Sequence, residues 1–496
     1  MKTIVLGPPG TGKTTTLLNL VDKYLKQTDP NKIGYFAFTQ KAAYEARDRA
    51  VEKFNLSEDD LPYFRTLHSL AFRRLGIQKQ NVMQKRHYAD LGNKLGFPVD
   101  YEENDQEMNG IFSTKSDYLR ILQLAKLRNI SFEKQYDLKE HTQDVEFDKL
   151  KIIAHELERY KKEYGLVDFN DMILNFIKAN ASPQFDVVFV DEAQDLSLMQ
   201  WDMVKTIWNR TADNYIAGDD DQAIFKWAGA DVDSFIALDG KFVNLTQSYR
   251  IPAKIHEIAM KIIGKINNRI PKLWKPKMKQ GKVSVYADFR DIDMSQGEWL
   301  ILGRTRSLLN ELEEVLYQKG YFYKNKFKKG YESELYESIT HWEKWRKGGT
   351  LDYQTVSQIF DYISPRQLEK EKLVLMDKNN FYSLKECQEK YGLKTDQVWY
   401  EALDEAPTRR VSYIRKMRQN GEKLNQTPRI TLSTIHGAKG GECQNVVLLT
   451  DLTRRTYGEY EQRPDDVNRL FYVGATRTKD HLHIVEPKDV YKSYLL

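Results

Sequence analysis

The chain has 496 residues, which suggests about three or four domains and excludes a single small binding module. Its 41% hydrophobic and 30% charged residues are typical of a globular protein, which argues against a disordered or fibrous chain. The 76 Lys and Arg residues against 71 Asp and Glu residues give a net charge of +5, which permits a polyanionic partner without requiring one.

Two cysteines, Cys387 and Cys443, are too few for a disulfide framework and cannot by themselves form a zinc site. No apolar run approaches the roughly 18 residues of a membrane span, and the N-terminus reaches Gly7 too soon to hold a secretory apolar core. We therefore expect a cytoplasmic protein. The aromatic content of 12% fits either large hydrophobic cores or rings that stack on nucleic-acid bases, and composition does not decide between them.

The first residues predict a strand over 3–6, a glycine-rich loop and a helix over 15–26. The loop has the spacing G-x-x-x-x-G-K-T, in which glycines let backbone N–H groups converge on phosphate oxygens. Lys13 is expected to reach the β- and γ-phosphates of a nucleotide, and Thr14 to offer its hydroxyl to Mg²⁺. The predicted nucleotide-binding residues here are Gly7, Pro8, Pro9, Gly10, Thr11, Gly12, Lys13, Thr14 and Thr15.

A second apolar strand is predicted over residues 185–190, and it runs directly into Asp191 and Glu192. A strand that ends in paired carboxylates suits a magnesium site beside a phosphate loop, with a solvated acidic loop as the alternative. We expect Asp191 to hold the metal through water and Glu192 to act as general base for the attacking water. Because Asp191 follows Lys13 by 178 residues, we infer an insertion between them.

A third strand is predicted over residues 215–218, and it ends in the polar run from Asp219 to Gln222. Phe225 and Trp227 follow on either side of Lys226, which suits base stacking beside a phosphate contact. Packing of these rings in a core is the alternative on spacing alone.

The chain resembles the UvrD/Rep family of superfamily 1 DNA helicases in an ordered set of motifs between about residues 3 and 484. The matching segments are GPPGTGKT, FTQKAA, TLHSLA, GLVDF, DEAQD, GDDDQAIFKWAGA, LTQSYR, TIHGAKGGE and LFYVGATR. The resemblance implies an α/β fold with two RecA-like P-loop NTPase motor domains, each with a mainly helical insertion. It also implies that ATP and Mg²⁺ are the cofactors, with Thr14 and Asp191 at the metal.

The resemblance assigns further residues to nucleotide binding and catalysis. Tyr249 would stack on adenine, Glu442 would face the nucleotide sugar, and Gln194 would belong to the nucleotide site. Arg250 and Arg477 would reach the γ-phosphate from the other motor domain, so that hydrolysis requires domain closure. Gln222 is our candidate link between the γ-phosphate and DNA. The predicted catalytic residues are Glu192, Gln222, Arg250 and Arg477.

The same resemblance predicts a path for single-stranded DNA. The predicted DNA-binding residues are Phe38, Thr39, Thr66, His68, Phe225, Trp227, Thr434 and His436. Rings would stack on bases and polar side chains would hold phosphates, so we expect little sequence specificity. A packed structural role is the alternative for His68 and His436.

The motifs also divide the chain. The predicted parts are motor domain 1A at 1–78 and 164–240, insertion 1B at 79–163, motor domain 2A at 241–345 and 426–496, and a short insertion 2B at 346–425. Residues 147–162 and 308–319 predict helices, residues 299–304 a strand, and residues 101–105 an acidic loop. Basic runs at 321–329 and 408–418 suit a nucleic-acid backbone or, alternatively, a solvated surface.

The leading hypothesis is an ATP-dependent DNA helicase or translocase that moves 3′ to 5′ on single-stranded DNA and unwinds forked duplex, without a membrane partner. The alternative is a DNA-stimulated translocase, or the motor subunit of a larger repair, phage-replication or defence complex, with weak unwinding of its own. The 12 residues after Ile484 barely fit the family's strand-separating hairpin, which motivates this alternative. In the family, an adenine-reading glutamine motif precedes the first strand. Because that strand starts at about residue 3 here, we expect the motif to be absent and Tyr249 alone to select adenine weakly.

A third hypothesis is a nucleotide-gated binding module without productive turnover. The presence of Glu192, Arg250 and Arg477 argues against it, because these side chains would serve hydrolysis rather than binding alone.

Overall fold

The computed structural model describes residues 1–97, 99, 116–141, 144–327, 333–423 and 426–496. Two compact units divide the chain, the first formed by Met1–Gln280 and Tyr460–Thr476 and the second by Gly281–Glu459 and Arg477–Leu496. The predicted acidic loop at 101–105 and the last two lysines of the run at 321–329 lie outside the described residues. The four-part division inferred from the motifs stays a prediction.

A six-stranded sheet lies at the centre of the first unit. Its strands are β1 (Lys2–Leu6), β2 (Ile33–Ala37), β3 (Phe64–Arg65), β4 (Phe185–Asp191), β5 (Thr211–Gly218) and β6 (Lys241–Asn244). They lie in the order β3-β2-β4-β5-β1-β6, and every neighbouring pair is parallel. Because the carboxyl ends of parallel strands share one edge, the residues that follow β1, β4 and β5 are brought to the same side of the sheet.

Helices of the first unit cover this sheet and form an insertion. They are α1 (Lys13–Leu25), α2 (Gln40–Phe54), α3 (Leu67–Arg74), α4 (Lys85–Leu95), α5 (Asp117–Leu127), α6 (Phe132–Asp137), α7 (Phe147–Tyr164), α8 (Phe169–Lys178), α9 (Leu198–Trp208), α10 (Val232–Ile236) and α11 (Ala253–Ile263). Leu17 and Val21 of α1 pack with Val187 and Phe189 of β4 in one apolar core. A separate core joins α4, α5 and α7, so the described part of the predicted 1B region is helical with its own buried side chains.

The second unit contains another six-stranded parallel sheet and a small hairpin. Its strands are β7 (Lys282–Tyr286), β8 (Trp299–Gly303), β9 (Tyr323–Asn325), β10 (Thr350–Asp352), β11 (Phe381–Ser383), β12 (Ile430–Thr434), β13 (Cys443–Leu449) and β14 (Thr478–Val485). The large sheet has the order β7-β14-β13-β8-β12-β9, and β10 pairs with β11 in antiparallel fashion. Two parallel sheets with surrounding helices confirm the predicted α/β class.

The remaining helices follow β8 along the chain. They are α12 (Arg306–Lys319), α13 (Ser333–Trp345), α14 (Tyr353–Phe360), α15 (Leu384–Lys390), α16 (Trp399–Ala402), α17 (Thr408–Gln419), α18 (Arg454–Gln462) and α19 (Pro464–Ala475). The core of the second unit is continuous from Ile301 and Leu432 in the sheet to Trp342 and Trp399 in α13 and α16. Observed elements match the predicted helices at 15–26, 147–162 and 308–319 and the predicted strands at 3–6, 185–190, 215–218 and 299–304.

Many of the aromatic residues fill these cores. Trp201, Trp342, Trp345 and Trp399 are among the largest fully buried side chains. Burial of a large apolar side chain contributes about 1.5–3 kcal/mol to stability, so these rings are explained by folding alone. Across the described ranges, no helix has the length and apolar character of a membrane span.

Candidate nucleotide and nucleic-acid site

The glycine-rich loop connects β1 to α1. Gly10 and Gly12 have φ angles of 71° and 81°, a left-handed conformation that favours glycine. A Cβ atom on Gly7 would collide with the side chain of Lys13, and one on Gly10 would collide with that of Arg250. Small residues at these positions therefore allow the close backbone approach that a phosphate-binding loop needs.

The other predicted loop residues hold the loop in shape. The Thr11 hydroxyl donates to the Pro8 carbonyl oxygen at 2.8 Å, and the Gly7 N–H donates to the Gly218 carbonyl oxygen at 3.1 Å. Pro8 and Pro9 are buried, whereas Thr15 is exposed on the first turn of α1. The loop is thus anchored to the end of β5 as well as to β1.

Asp191 is a buried carboxylate at the end of β4. Its Oδ2 accepts hydrogen bonds from the hydroxyls of Thr14 at 2.8 Å and Tyr35 at 2.9 Å, and its Oδ1 accepts from the Glu192 N–H at 2.9 Å. Burial and the neighbouring Glu192 carboxylate raise the pKa of Asp191 above its usual value, against the opposing effect of Lys13. Sequence reasoning missed Tyr35, because its position in an apolar strand suggested only a core residue.

The side chain of Glu192 lies beside the phosphate-loop lysine. Lys13 Nζ is 3.6 Å from Glu192 Oε1 and donates to the Gly7 carbonyl oxygen at 2.9 Å. Glu192 has a φ of 53°, which is uncommon for a residue with a side chain and is associated with functional sites. The left-handed backbone turns the chain sharply after β4, so Asp191 and Glu192 both stay near the phosphate loop.

A chain of hydrogen bonds links Glu192 to Gln222. Gln194 Nε2 donates to Glu192 Oε2 at 2.6 Å, and Gln194 Oε1 accepts from the Asp219 N–H at 3.0 Å. Asp219 Oδ2 in turn accepts from Gln222 Nε2 at 2.7 Å. The ends of β4 and β5 are therefore connected through polar side chains and the backbone N–H of Asp219. We name this hydrogen-bonded series, Glu192–Gln194–Asp219–Gln222, the glutamine relay.

Thr14 and Asp191 are suited to a magnesium ion. A hydroxyl and a carboxylate are hard oxygen ligands, which Mg²⁺ prefers, and it usually combines one or two carboxylates with water and substrate phosphates. The Thr14 Oγ1 and Asp191 Oδ2 atoms are 2.8 Å apart next to the phosphate loop, so these two residues fit the predicted ion.

Three consecutive carboxylates follow β5, and two cations from a distant segment contact them. Lys272 Nζ lies 3.1 Å from Asp219 and 3.0 Å from Asp221, and it also pairs with Asp220. Arg269 pairs with Asp221 at 2.6 Å. Sequence reasoning missed both cations, since nothing in their spacing distinguishes them from other surface charges.

Tyr249 and Arg250 lie beside the phosphate loop in the first unit. The Tyr249 N–H donates to the Gly10 carbonyl oxygen at 2.8 Å, and the Ser248 hydroxyl donates to the Pro9 carbonyl oxygen at 2.7 Å. The Tyr249 side chain is 75% exposed, so its ring faces are accessible for stacking. Backbone pairing therefore places Tyr249 and Arg250 beside Gly10 of the loop that also carries Lys13.

The predicted DNA-stacking rings differ in exposure. Phe38 and Phe225 are each 8% exposed, and their rings stack on each other with centroids 5.7 Å apart. Trp227 is half-buried. Trp227 thus has accessible ring surface, whereas a base could stack on Phe225 only after its contact with Phe38 opens.

The predicted DNA-binding threonines of the first unit cap helices. The Thr39 hydroxyl accepts from the Ala42 N–H at 3.1 Å, and the Thr66 hydroxyl accepts from the Ser69 N–H at 3.3 Å. His68 lies buried in the first turn of α3, and its ring nitrogens have no hydrogen-bond partner among the described residues. Burial lowers the pKa of His68 to about 4, despite the opposing effect of Asp168.

The remaining predicted site residues belong to the second unit. Thr434 ends β12, and its hydroxyl accepts from the Gly437 N–H at 3.1 Å, which fixes the turn that carries His436. Glu442 pairs with Lys479 at 3.1 Å, and the Arg477 guanidinium donates to the Gly441 carbonyl oxygen at 3.3 Å. Thr434 and His436 thus lie at the carboxyl end of β12, whereas Glu442 and Arg477 precede the amino ends of β13 and β14, at the opposite edge of this parallel sheet.

Comparison with known proteins adds evidence of ancestry. Residues 1–243 match the family model of the UvrD/REP helicase N-terminal domain, and residues 410–488 match that of the UvrD-like helicase C-terminal domain. Together with the two parallel sheets, these matches confirm the predicted fold class of two RecA-like motor domains.

Several characterised proteins are similar to the chain. It is 25% identical to the ATP-dependent DNA helicase PcrA of Bacillus subtilis over 366 residues, which cover 64% of the chain and 48% of that protein. It is 26% identical to DNA helicase II of Escherichia coli over 368 residues, 64% of the chain and 48% of that protein. It is 26% identical to the ATP-dependent DNA helicase Rep of Buchnera aphidicola over 319 residues, 56% of the chain and 45% of that protein. The chain thus spans less than half the length of these relatives.

Proposed function

This chain belongs to the UvrD/REP-like helicase family, and on that premise we propose that it is an ATP-dependent DNA helicase. The proposed enzyme hydrolyses ATP with Mg²⁺, moves 3′ to 5′ along single-stranded DNA and separates forked duplex. The observation that carries the proposal is that Lys13, Thr14, Asp191 and Glu192 lie close together beyond the carboxyl ends of β1 and β4, which flank β5 in one parallel sheet.

In the proposed reaction, Lys13 and the loop N–H groups would bind the phosphates of ATP, and Thr14 and Asp191 would hold the metal ion. A bound Mg²⁺ neutralises phosphate charge and orients the transferring group. Glu192 accepts a proton from the attacking water, for which its position beside Lys13 is suitable. Tyr249 would stack on the base of the nucleotide, since its ring is exposed beside the loop.

Arginine side chains would supply the remaining charge stabilisation. An arginine that reaches the γ-phosphate in the transition state typically contributes about 10³–10⁵ in rate. Arg250 is supported by its place next to Gly10, and Arg477 and Glu442 are supported by their motif positions. Conversion of Arg250 or Arg477 to Lys tests this role, because lysine keeps the charge but loses the planar pair of donors.

The proposed DNA path uses the rings and the helix-capping threonines. Trp227 would stack on a base, and Phe38 and Phe225 would provide further apolar surface. Thr39, Thr66 and Thr434 have hydroxyls at helix or turn starts, where a phosphate also accepts backbone N–H groups. His68 and His436 would complete the path. Such contacts do not read base edges, so we propose binding without sequence preference.

The proposal also includes the division of the chain into two motor domains and two insertions. We assign motor domain 1A, insertion 1B, motor domain 2A and insertion 2B to the residues predicted from the motifs. Helices α4–α7 support a helical 1B, and the hairpin β10–β11 with α14–α17 supports a compact 2B. Replication, repair or defence proteins in the cytoplasm are the proposed partners of such a motor.

Strand separation with tailed substrates tests the proposal. The purified chain is mixed with ATP, Mg²⁺ and a labelled duplex that carries a 3′ tail, a 5′ tail or no tail. We expect ATP-dependent separation of the 3′-tailed substrate and little separation of the other two. Absence of any DNA-stimulated phosphate release would contradict the proposal, and preference for the 5′ tail would contradict the polarity.

The second candidate function is a DNA-stimulated translocase or motor subunit with weak unwinding of its own. It is favoured by residues 244–409, which include most of the predicted insertion 2B and fall between the two family-model matches, so the likeness to known helicases rests on the motor segments. Displacement of streptavidin from a biotinylated single strand measures translocation without unwinding. Strong displacement with weak duplex separation would favour this candidate, and strong separation would remove it.

A further inference from the structure

Three consecutive carboxylates lie buried at the end of β5. Asp219, Asp220 and Asp221 are each at most 1% exposed, although each belongs to a residue type that is rarely buried without a partner. Three carboxylates this close would repel each other, and some of them would take up protons, unless cations lay among them. The arrangement of these three groups therefore depends on what neutralises them.

Lys272 is the group that contacts all three. Its side chain is 2% exposed, and its Nζ pairs with each carboxylate in turn. Burial alone would lower the pKa of Lys272, but the three carboxylates outweigh it and raise the pKa, so the ammonium group is charged. Arg269 provides a second cation, which contacts Asp221 through two nitrogens at 2.7 and 2.6 Å.

The segment that carries Lys272 is itself held against the same strand end. The Ile270 N–H donates to Asp220 Oδ2 at 2.8 Å. The buried Arg469 of α19 donates to the Asp220 carbonyl oxygen at 2.8 Å and to the Asn268 carbonyl oxygen. Lys272 is thus held in position by contacts of the residues just before it as well as by its own ion pairs.

One of the three carboxylates belongs to the glutamine relay. Asp219 Oδ2 accepts from Gln222 Nε2, its N–H donates to Gln194, and its Oδ1 faces Lys272. Besides Lys272, Asp219 Oδ1 accepts among the described residues only the long hydrogen bond from the Asp221 N–H at 3.3 Å. Loss of the ammonium group would therefore remove the cation that holds the Asp219 carboxylate in its orientation toward Gln222, and would loosen the link between Glu192 and the segment that leads to Trp227.

We propose that Lys272 is a positioning residue that couples ATP hydrolysis to DNA, because it fixes Asp219 in the conformation that joins Gln194 to Gln222. Lys272 touches neither nucleotide nor DNA in this role and acts only through Asp219. The inference rests on the proposed function, since coupling has meaning only in a DNA-stimulated ATPase.

The test compares the ratio of phosphate release with and without single-stranded DNA. This ratio does not depend on the fraction of folded protein, so a purely structural role would leave it unchanged. We expect Lys272→Met to lower the ratio at least tenfold while the KM for ATP changes less than about threefold, and Lys272→Arg to restore at least half of it. Lys275→Met, an exposed lysine of the same segment, is the matched control and should keep the ratio of the unmodified chain.

A second variant covers the case in which Lys272→Met does not fold. Lys272→Met combined with Asp220→Asn restores the charge balance without restoring the ammonium group beside Asp219. A folded double variant with a low ratio supports the inference, and a double variant with a normal ratio overturns it. Failure of both variants to fold would make Lys272 a stability residue and would also overturn it.

The unmodified chain separates this inference from the proposed function. If it shows no DNA-stimulated hydrolysis, the proposed function fails and the inference fails with it. If it is stimulated and Lys272→Met is stimulated equally, only the inference is overturned.

Discussion

The Thr14 hydroxyl donates a hydrogen bond of 2.8 Å to the carboxylate of Asp191, although 177 residues separate them in the chain. The contact follows from the parallel sheet, since β1 and β4 flank β5 and their carboxyl ends share one edge. Strand order therefore brings together two oxygen atoms that could bind a divalent cation, although a long insertion separates them in the sequence.

Lys13→Ala should reduce DNA-stimulated ATP hydrolysis at least ~100-fold, because removal of one preorganised charge at a developing anion typically has an effect of this size. Glu192→Gln should reduce it by a similar factor, since an amide cannot accept the proton from water. Binding of fluorescent single-stranded DNA should survive in both variants. Phosphate release and fluorescence anisotropy measure the two quantities.

Lys23→Ala is the control for the first pair, because Lys23 is exposed on the last turn of the same helix. Its hydrolysis rate should match that of the unmodified chain. Full activity of Lys13→Ala and Glu192→Gln would sink the assignment of the phosphate site.

Asp191→Asn should raise the unfolding temperature of the metal-free protein at pH 7 while it abolishes hydrolysis. The folded-state pKa of Asp191 lies above its unfolded value, so stability falls as pH rises through the interval between them, and the charged form is penalised at neutral pH. The amide removes that penalty. A gain of about 1 kcal/mol would shift the midpoint by ~2–4 °C in a domain of this size.

Scanning calorimetry with and without Mg²⁺ checks this expectation. Magnesium with a nucleotide should stabilise the unmodified chain more than Asp191→Asn, since the variant lacks a charged ligand. Asp22→Asn serves as control, because the Asp22 side chain of α1 is 35% exposed and pairs only with Lys26 among the ion pairs of the described residues. An unfolding temperature of Asp191→Asn below that of the unmodified chain would refute the predicted charge penalty.

His68→Phe should reduce the loss of stability that the protein suffers in mild acid. The folded-state pKa of His68 is about 4 against 6.5 for the free side chain, so the unfolded chain binds a proton first as pH falls from 6.5 toward 4. The free energy of unfolding then falls by up to about 1.4 kcal/mol per pH unit, and its total loss at pH 5 is about 2 kcal/mol. Phenylalanine has no such proton to bind.

Denaturant unfolding at pH 7 and pH 5 measures the difference. The unmodified chain should lose about 2 kcal/mol more between these pH values than His68→Phe does. His155→Phe, whose side chain is exposed, should behave like the unmodified chain. Equal losses in His68→Phe and the unmodified chain would mean that His68 is protonated at its ordinary pKa.

Trp227→Ala should weaken the binding of single-stranded DNA roughly equally for poly(dT) and mixed sequences. Loss of one stacked ring typically raises the free energy of binding by about 1–3 kcal/mol, which is about 5- to 150-fold in Kd. Tyr491→Ala is the matched control, since Tyr491 is an exposed ring on the C-terminal tail. Unchanged affinity in Trp227→Ala would remove this ring from the DNA path.

Local patterns were sufficient to predict the phosphate loop and the ends of the strands beside it. The strand before Asp191 was visible as an apolar run, and the loop before Lys13 as a glycine spacing, because both are short-range signals. Parallel pairing then brings such ends together in almost any doubly wound sheet. The positions of Thr14 and Asp191 could therefore be anticipated from the chain alone.

Contacts that join distant irregular segments could not be predicted in this way. Lys272 reaches Asp220 across 52 residues from a stretch without regular structure, and one lysine among many carries no local signal for that role. Tyr35 is similar, because a tyrosine in a buried strand is usually explained by packing alone. Both contacts depend on where the sheet places a side chain, which spacing does not encode.

The left-handed backbone at Glu192 has a consequence for how the sequence can vary. Glycine or asparagine would adopt a φ of 53° with less strain, so either residue would stabilise the turn after β4. Selection for thermal stability alone would therefore replace glutamate at this position and remove the carboxylate. Retention of glutamate requires selection for a property other than stability, and a thermostability screen of position 192 would show the conflict directly.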